Sequence, residues 1–247
     1  MDRMLYVAMS AAVQNMRGQA IATHNLANAS TSGFKADLAQ ARAMPVYGDG
    51  HPSRVFAMTE RPGIDFAYGS VATTENTLDL AIDGDGWLVV QGLDGQEAYT
   101  RAGALRMNSF GLLETMGGLP IIGDAGPITL PESEEIVIGS DGTISVKPLG
   151  QEANTLAVVD RVRLVNPPAS DLVKGDDGLF RLRDGAVAEP DVTVKVVQGA
   201  LEESNVSTIK QMLDVVTLAR QYEMSIKAMK VAEEMDAASS QMMRMNA

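Results

Sequence analysis

The side chains most able to do chemistry in this sequence are acidic and sit beside glycines. Asp83-Gly84-Asp85-Gly86 spaces two carboxylates as in the first half of a calcium loop. Such a loop needs further oxygen ligands and a glutamate at the twelfth position, which here is Asp94, beyond an apolar run. Glu132, Glu134 and Glu135 are close enough to supply an acid and a base, but after Pro131 they read as a solvated loop. The two histidines, His24 and His51, are too isolated for a zinc site or a triad, and packing in a helical stretch accounts for His24. The chain has no cysteine, so thiolate metal sites and disulfides are excluded. No glycine-rich loop follows a strand and opens a helix, and Trp87 in an apolar run reads as core. The expectation is a chain with no cofactor, no metal and no catalytic residues.

The acidic glycine pairs are better explained by the elements around them. Asp83-Gly84-Asp85-Gly86, Asp94-Gly95, Asp141-Gly142 and Asp177-Gly178 each suit a tight turn that needs positive φ. They separate short apolar or alternating runs at 78–82, 87–90, 136–138, 143–146, 157–165, 179–182 and 192–197. The middle of the chain therefore reads as an antiparallel, turn-rich β-domain, residues 74–203. Before it, residues 36–73 are punctuated by Pro45, Gly48, Gly50, Pro52, Pro62, Gly63 and Gly69, and read as an extended connector without a long element.

The two ends are helical. Residues 2–29 lack proline, with Leu5, Ala8 and Ala12 on one line and Met9, Val13, Met16 and Ala20 on another. Small residues there let a second helix come close, and polar interruptions make the stretch unfit to span a membrane or act as a cleavable signal. At the other end, Asn205 to Met245 contains no proline or glycine, and Ser204 or Asn205 is placed to cap it. Met212, Val215, Ala219, Tyr222, Ile226 and Met229 form a seam at spacings of three and four. Met224, Ala228, Val231, Met235, Ala238 and Met242 form a second line on nearly the reverse face, which a single partner helix cannot cover. The fold class expected is α+β, with long N- and C-terminal helices packing as a coiled-coil-like pair and the β-domain between them.

Charge supports self-association over nucleic-acid binding. Of the net charge of −12, residues 1–44 carry +2, residues 45–204 carry −14 and residues 205–247 carry 0. The ends are nearly neutral and apolar, while the middle repels like charge.

Asn25-Leu26-Ala27-Asn28 followed by Thr31-Ser32-Gly33-Phe34-Lys35 resembles the N-terminal signature of the rod and hook family, the axial proteins of the bacterial flagellum. Leu78-Asp79-Leu80-Ala81-Ile82, Gly86-Trp87-Leu88-Val89-Val90 and Tyr99-Thr100-Arg101-Ala102-Gly103 resemble that family's central β-domain. Glu203-Ser204-Asn205-Val206 and Arg220-Gln221-Tyr222-Glu223 resemble its C-terminal helix, and the opening Met1 to Met9 is most similar to the proximal rod type.

The resemblance implies a structural subunit of the flagellar basal-body proximal rod. Residues 1–35 and 204–247 would form an inner helical domain that polymerises into a hollow shaft, with the β-domain as the outer layer. Its implied partners are copies of itself, other rod proteins and the flagellar type III export apparatus, with no nucleic acid and no membrane insertion. Its implied place is the rod crossing the periplasm, reached without a cleaved signal peptide. The contact residues expected are Leu5, Met9, Val13, Met16, Asn25, Leu26, Asn28, Gly33 and Phe34 at the N-terminal end. At the C-terminal end they are Asn205, Met212, Val215, Ala219, Tyr222, Ile226, Met229, Val231 and Met235. A distal rod or hook-type subunit is the alternative within the family. A β-rich cell-wall binding module dimerised by its helices, and a wall hydrolase using the acidic middle, are the readings outside it. Apolar lines on opposite faces of one helix favour the polymer subunit.

Overall fold

The computed structural model describes residues 4–45, 55–148 and 156–245. His51, the glycines and proline at 48–52 and the opening Met1-Asp2-Arg3 lie outside the described residues. The chain divides into two compact units, one of residues 1–29, 36–65 and 206–247 and one of residues 30–35 and 66–205.

The first, helical unit holds α1 (Met4–Ala27) and α2 (Thr208–Met245) packed on each other. Gly18 lies against Leu218, whose methyl groups are 3.4 Å from where a Cβ at 18 would be. Further along α1, Ile21 and Asn25 share a groove of about 400 Å³ with residues of the first turns of α2, Lys210, Asp214 and Gln221 among them. The two helices therefore run antiparallel. The residues that α1 buries are the small Ala8, Ala12, Gly18 and Ala22 with the larger Gln14 and Asn25, and the small ones let neighbouring elements approach closely. On α2 the facing residues are Val215, Leu218, Ala219, Tyr222, Ile226 and Met229, each half-buried. Most of the expected seam thus faces α1, but Met212 is 56% exposed and Leu218, absent from the expected line, is the residue against Gly18.

Two boundaries differ from the sequence expectation. The cap of α2 is Ser207, whose Oγ accepts from the Lys210 N–H at 3.4 Å; Ser204 and Asn205 precede the helix. The segment expected to lack a long element contains a hairpin, β1 (Asp37–Pro45) paired antiparallel with β2 (Val55–Ile64), both packed on α1. Pro62 and Gly63 are accommodated at the base of this two-stranded ribbon, where the register shifts between Leu38 and Gln40.

The β unit contains β3 (Val71–Thr73), β4 (Leu80–Asp83), β5 (Trp87–Gln91), β6 (Glu97–Thr100), β7 (Leu105–Met107) and β8 (Leu113–Thr115). It continues with β9 (Ser133–Ile138), β10 (Thr143–Pro148), β11 (Ala157–Arg161), β12 (Leu164–Val165), β13 (Leu172–Lys174), β14 (Phe180–Leu182), β15 (Lys195–Gln198) and β16 (Ala200–Glu202). They form a five-stranded sheet in the order β12-β5-β6-β14-β13, a three-stranded sheet β11-β10-β9, and the pairs β15-β4, β16-β3 and β7-β8, all antiparallel. Leu80, Leu88, Val90, Leu113, Ile121, Ile128 and Ile144, none with any exposed surface, centre a single core. The stretch 157–165 is two strands, and Glu134 and Glu135 lie on edge strand β9, not in a loop, with Glu134 paired to Lys147 at 2.8 Å.

One turn geometry recurs through this unit. At Gly92, Asn108, Thr115, Gly139 and Gly175, the first residue's N–H donates to the carbonyl four residues on, and its own carbonyl accepts from the glycine three residues on. Those glycines, Gly95, Gly111, Gly118, Gly142 and Gly178, have φ between 78° and 84°. This is the three-residue hairpin loop in which a type I turn closes on a left-handed residue. In three of the five an Asp side chain between them, Asp94, Asp141 or Asp177, accepts the N–H two residues on. The Asp-Gly pairs are therefore turn chemistry, as their spacing indicates.

Candidate functional site

Parts of three of the family-like stretches, around Gly33 to Lys35, Gly84 to Arg101 and Glu202, meet at a buried charge cluster in the β unit. The segment Ser30–Lys35 carries Gly33 at φ 67°, and a Cβ there would lie 2.2 Å from the carbonyl carbon of Arg101 and 2.4 Å from the nitrogen of Ala102. Only glycine satisfies both the left-handed backbone and that approach. The Gly33 N–H donates to the Glu202 carbonyl at 2.7 Å, which sets Lys35 beside the Glu202 side chain.

Lys35 Nζ donates to Glu202 Oε1 at 2.8 Å and to the Ala67 carbonyl at 2.8 Å. Arg101 Nε donates to Glu202 Oε2 at 2.5 Å, and its two terminal nitrogens donate to the carbonyls of Gly86 and Gly84 at 3.1 and 2.8 Å. Lys35, Arg101 and Glu202 are 1%, 5% and 2% exposed. Two cations share one carboxylate, and the Tyr68 ring lies 5.4 Å from the lysine nitrogen and 5.2 Å from the guanidinium. Burial alone would push the Glu202 carboxyl up. The Lys35 hydrogen bond, the Gly69 N–H and the two positive charges outweigh it and hold the carboxyl below the ordinary range. The Tyr68 phenol donates to Asp85, which with burial pushes the phenol up. Every strong donor and acceptor here is committed to another part of the chain, so the cluster is an anchor and not a reactive centre.

Several residues of these stretches have a task in this arrangement. The Asp83-Gly84-Asp85-Gly86 turn offers carbonyls to Arg101 and a carboxylate to Tyr68. Tyr99 is 1% exposed and its hydroxyl accepts from the Ala188 N–H at 2.8 Å. Gly103 passes so close to Leu80 that a Cβ would be 1.6 Å from the Leu80 oxygen. Asp79 accepts from Thr74 and Asn76 at 2.7 and 2.9 Å. Trp87 packs on Phe180 with ring centroids 4.5 Å apart and is core, as its surroundings in the sequence indicate. Phe34 lies under Lys174, whose Nζ is 3.9 Å from the ring centroid and donates to the Lys35 carbonyl at 2.7 Å. Asn205 donates through Nδ2 to the Ala67 carbonyl at 3.0 Å and through its N–H to the Phe34 carbonyl at 3.3 Å.

The expected contact residues divide sharply by environment. Asn25 is 2% exposed and works inside the helical unit, donating to the Asp37 carbonyl at 2.8 Å and accepting the Asp37 N–H at 2.9 Å. Asn28 caps the end of α1 by donating to the His24 carbonyl at 3.0 Å, and Leu26 is half-buried. His24 is not held by packing: its side chain is 50% exposed and Nδ1 is 3.1 Å from the Asp37 carboxylate. Leu5, Met9, Val13 and Met16 form a solvent face on α1, 42% to 55% exposed. Val231, Met235 and Met242 on α2 are 48%, 64% and 64% exposed. That line begins earlier than Met224, since Leu213, 64% exposed, lies on the same face. From Glu233 to Arg244 every residue of α2 is exposed.

Sequence comparison places these features in a known family. Residues 5–35 match the family described as Flagella basal body rod protein, residues 81–146 the Flagellar hook protein FlgE/F/G D1 domain, and residues 197–242 the Flagellar basal body rod FlgEFG protein C-terminal. The chain is 42% identical to the flagellar basal-body rod protein FlgF of Escherichia coli strain K12 over 100% of both chains. It is 42% identical over the same extent to the FlgF of Salmonella typhimurium, and 33% identical to that of Caulobacter vibrioides over 93% of each. With identity of this extent along its whole length, the chain belongs to the FlgF family of flagellar basal-body rod proteins.

Proposed function

We propose that this rod protein is a proximal rod subunit and enters the flagellar basal body through the faces of α1 and α2 that the chain itself leaves uncovered. The observation that carries this reading is the exposure of α2. It is 38 residues long, roughly 57 Å, yet none of its described side chains is fully buried, and beyond Ala232 none is even half-buried. A helix with apolar residues on two faces and one intramolecular neighbour has a face left for another subunit. Leu5, Met9, Val13 and Met16 on α1 and Met224, Val231 and Met235 on α2 are the contact residues in this reading. Asn25, Gly33, Phe34 and Asn205 act inside the subunit.

The partners are copies of the chain and other rod proteins, and the route out of the cytoplasm is the flagellar export apparatus, with the N-terminus retained. No helix among the described residues is long and apolar enough to cross a membrane. The chain has no catalytic role in this reading, because its buried charges are committed to one another and to backbone. The absence of natural cysteine makes the test direct. Single-cysteine variants Met16→Cys and Met235→Cys, oxidised within isolated basal bodies carrying matching cysteines in neighbouring rod subunits, cross-link to those neighbours. Failure of both positions to cross-link in basal bodies that contain the chain would remove the uncovered faces from the rod interface.

A further inference from the structure

The uncovered faces are unusually rich in one oxidisable side chain. Met9 and Met16 on α1 are 50% and 55% exposed, and Met224, Met235 and Met242 on α2 are 60%, 64% and 64% exposed. Met229, by contrast, is half-buried on the side of α2 that faces α1. A methionine thioether is soft and apolar, which suits an adaptable helix contact; its sulfoxide is polar and chiral, which does not. The apolar line and the modification site are the same atoms.

Resting on the rod reading above, we propose that these five methionines form a peroxide-sensitive modification site that excludes an oxidised subunit from the rod. The step is a two-electron oxygen transfer from a hydroperoxide. The sulfur lone pair attacks one peroxide oxygen, an S–O bond forms and the O–O bond breaks. Sulfur gives up two electrons, and the departing hydroxide takes the remaining peroxide proton and leaves as water. Exposure governs which sulfurs react first, so Met9, Met16, Met224, Met235 and Met242 oxidise in the free subunit ahead of Met229. A sulfoxide on the contact line then meets an apolar neighbour with its S=O dipole unpaired, and that docking is lost. Met116, 63% exposed in the β unit, reacts equally well and serves as a reference.

The test is a short hydrogen peroxide pulse to cells making rods, followed by mass spectrometry of this chain from isolated basal bodies and from the unassembled pool. The result expected is sulfoxide at the five positions in the unassembled pool and at least a tenfold lower fraction in chains incorporated after the pulse. Met116 sulfoxide should be similar in both pools, showing that the two were equally exposed. Equal sulfoxide fractions at the five positions in both pools would overturn the proposal while leaving the rod reading intact. Absence of the chain from basal bodies under all conditions would instead overturn the rod reading and this proposal with it. A variant with all five positions changed to leucine, which cannot take oxygen, should incorporate to the same extent with and without the pulse, whatever its own yield. Incorporation of the leucine variant falling in parallel with the wild type would also overturn the proposal.

Discussion

The backbone of Gly33 runs against the backbone of Arg101 so closely that a Cβ at position 33 would stand 2.2 Å from the Arg101 carbonyl carbon. This contact fixes the segment from Ser30 to Lys35 on the β unit before any charge is considered, and it makes one glycine answer for two constraints. Gly33→Ala should therefore cost about 1 to 2 kcal/mol for the left-handed backbone alone, with the overlap adding to it. Urea unfolding of the purified subunit measures this, and an unchanged midpoint would show that the approach is not as described.

The Glu202 carboxylate holds two buried cations, so removing its charge should be severe. Glu202→Gln leaves Lys35 and Arg101 without their shared anion, and about 3 to 5 kcal/mol of stability should be lost. Arg101→Lys is not a mild change here, because three guanidinium nitrogens reach three different acceptors. It should lower stability by about 1 to 3 kcal/mol, read in the same unfolding experiment.

The same carboxyl sets a pH dependence. Its value in the folded protein lies below the ordinary 4.5, so the unfolded chain takes up the proton first as pH falls. The stabilisation it gives is complete above the unfolded value and is lost as pH drops through the lower folded one. The stability gap between the wild type and Glu202→Gln should be constant from pH 7 to about pH 5 and shrink below that. A gap that widened toward acid pH would mean the carboxyl is protonated in the folded state.

Small residues let α1 approach α2, so enlarging one of them tests the packing. Gly18 faces the Leu218 methyl groups, which are 3.4 Å from where its Cβ would be, and Gly18→Leu forces a four-atom side chain into the α1–α2 contact where there is none. The expected penalty is about 1 to 3 kcal/mol, seen as an earlier loss of helical circular dichroism on heating. No change would place Gly18 away from α2.

Much of this architecture was legible in the sequence because the relevant signals are local. The period of apolar residues marks both helices, and the Asp-Gly pairs mark hairpin turns whose glycines have the positive φ expected. The β1–β2 hairpin was hidden because Pro45, Pro62 and Gly63 read as breaks, yet proline and glycine are tolerated in a two-stranded ribbon with free edges. Leu218 escaped the expected seam because α1 presents Gly18 opposite it, and a hole in one helix cannot be seen in the pattern of the other. The Lys35–Arg101–Glu202 cluster was invisible for a different reason. Its members are 101 and 167 residues apart for the two ion pairs, and charged residues are ordinarily solvated. The one available signal was a single charge in each of two otherwise uncharged signatures, at Lys35 and Arg101, while Glu202 stands just before the third, which opens on Glu203.

The central claim, that the outer line of α2 is a contact between subunits, is tested most directly by Met235→Lys. Met235 is 64% exposed in the isolated chain, so thermal unfolding of the purified variant should match the wild type within about 0.5 kcal/mol. In the rod the same side chain would place an ammonium against an apolar neighbour, and incorporation into basal bodies, with motility, should be lost. A Met235→Lys subunit that incorporates at the wild-type level, with its thermal unfolding equally unchanged, would contradict the account.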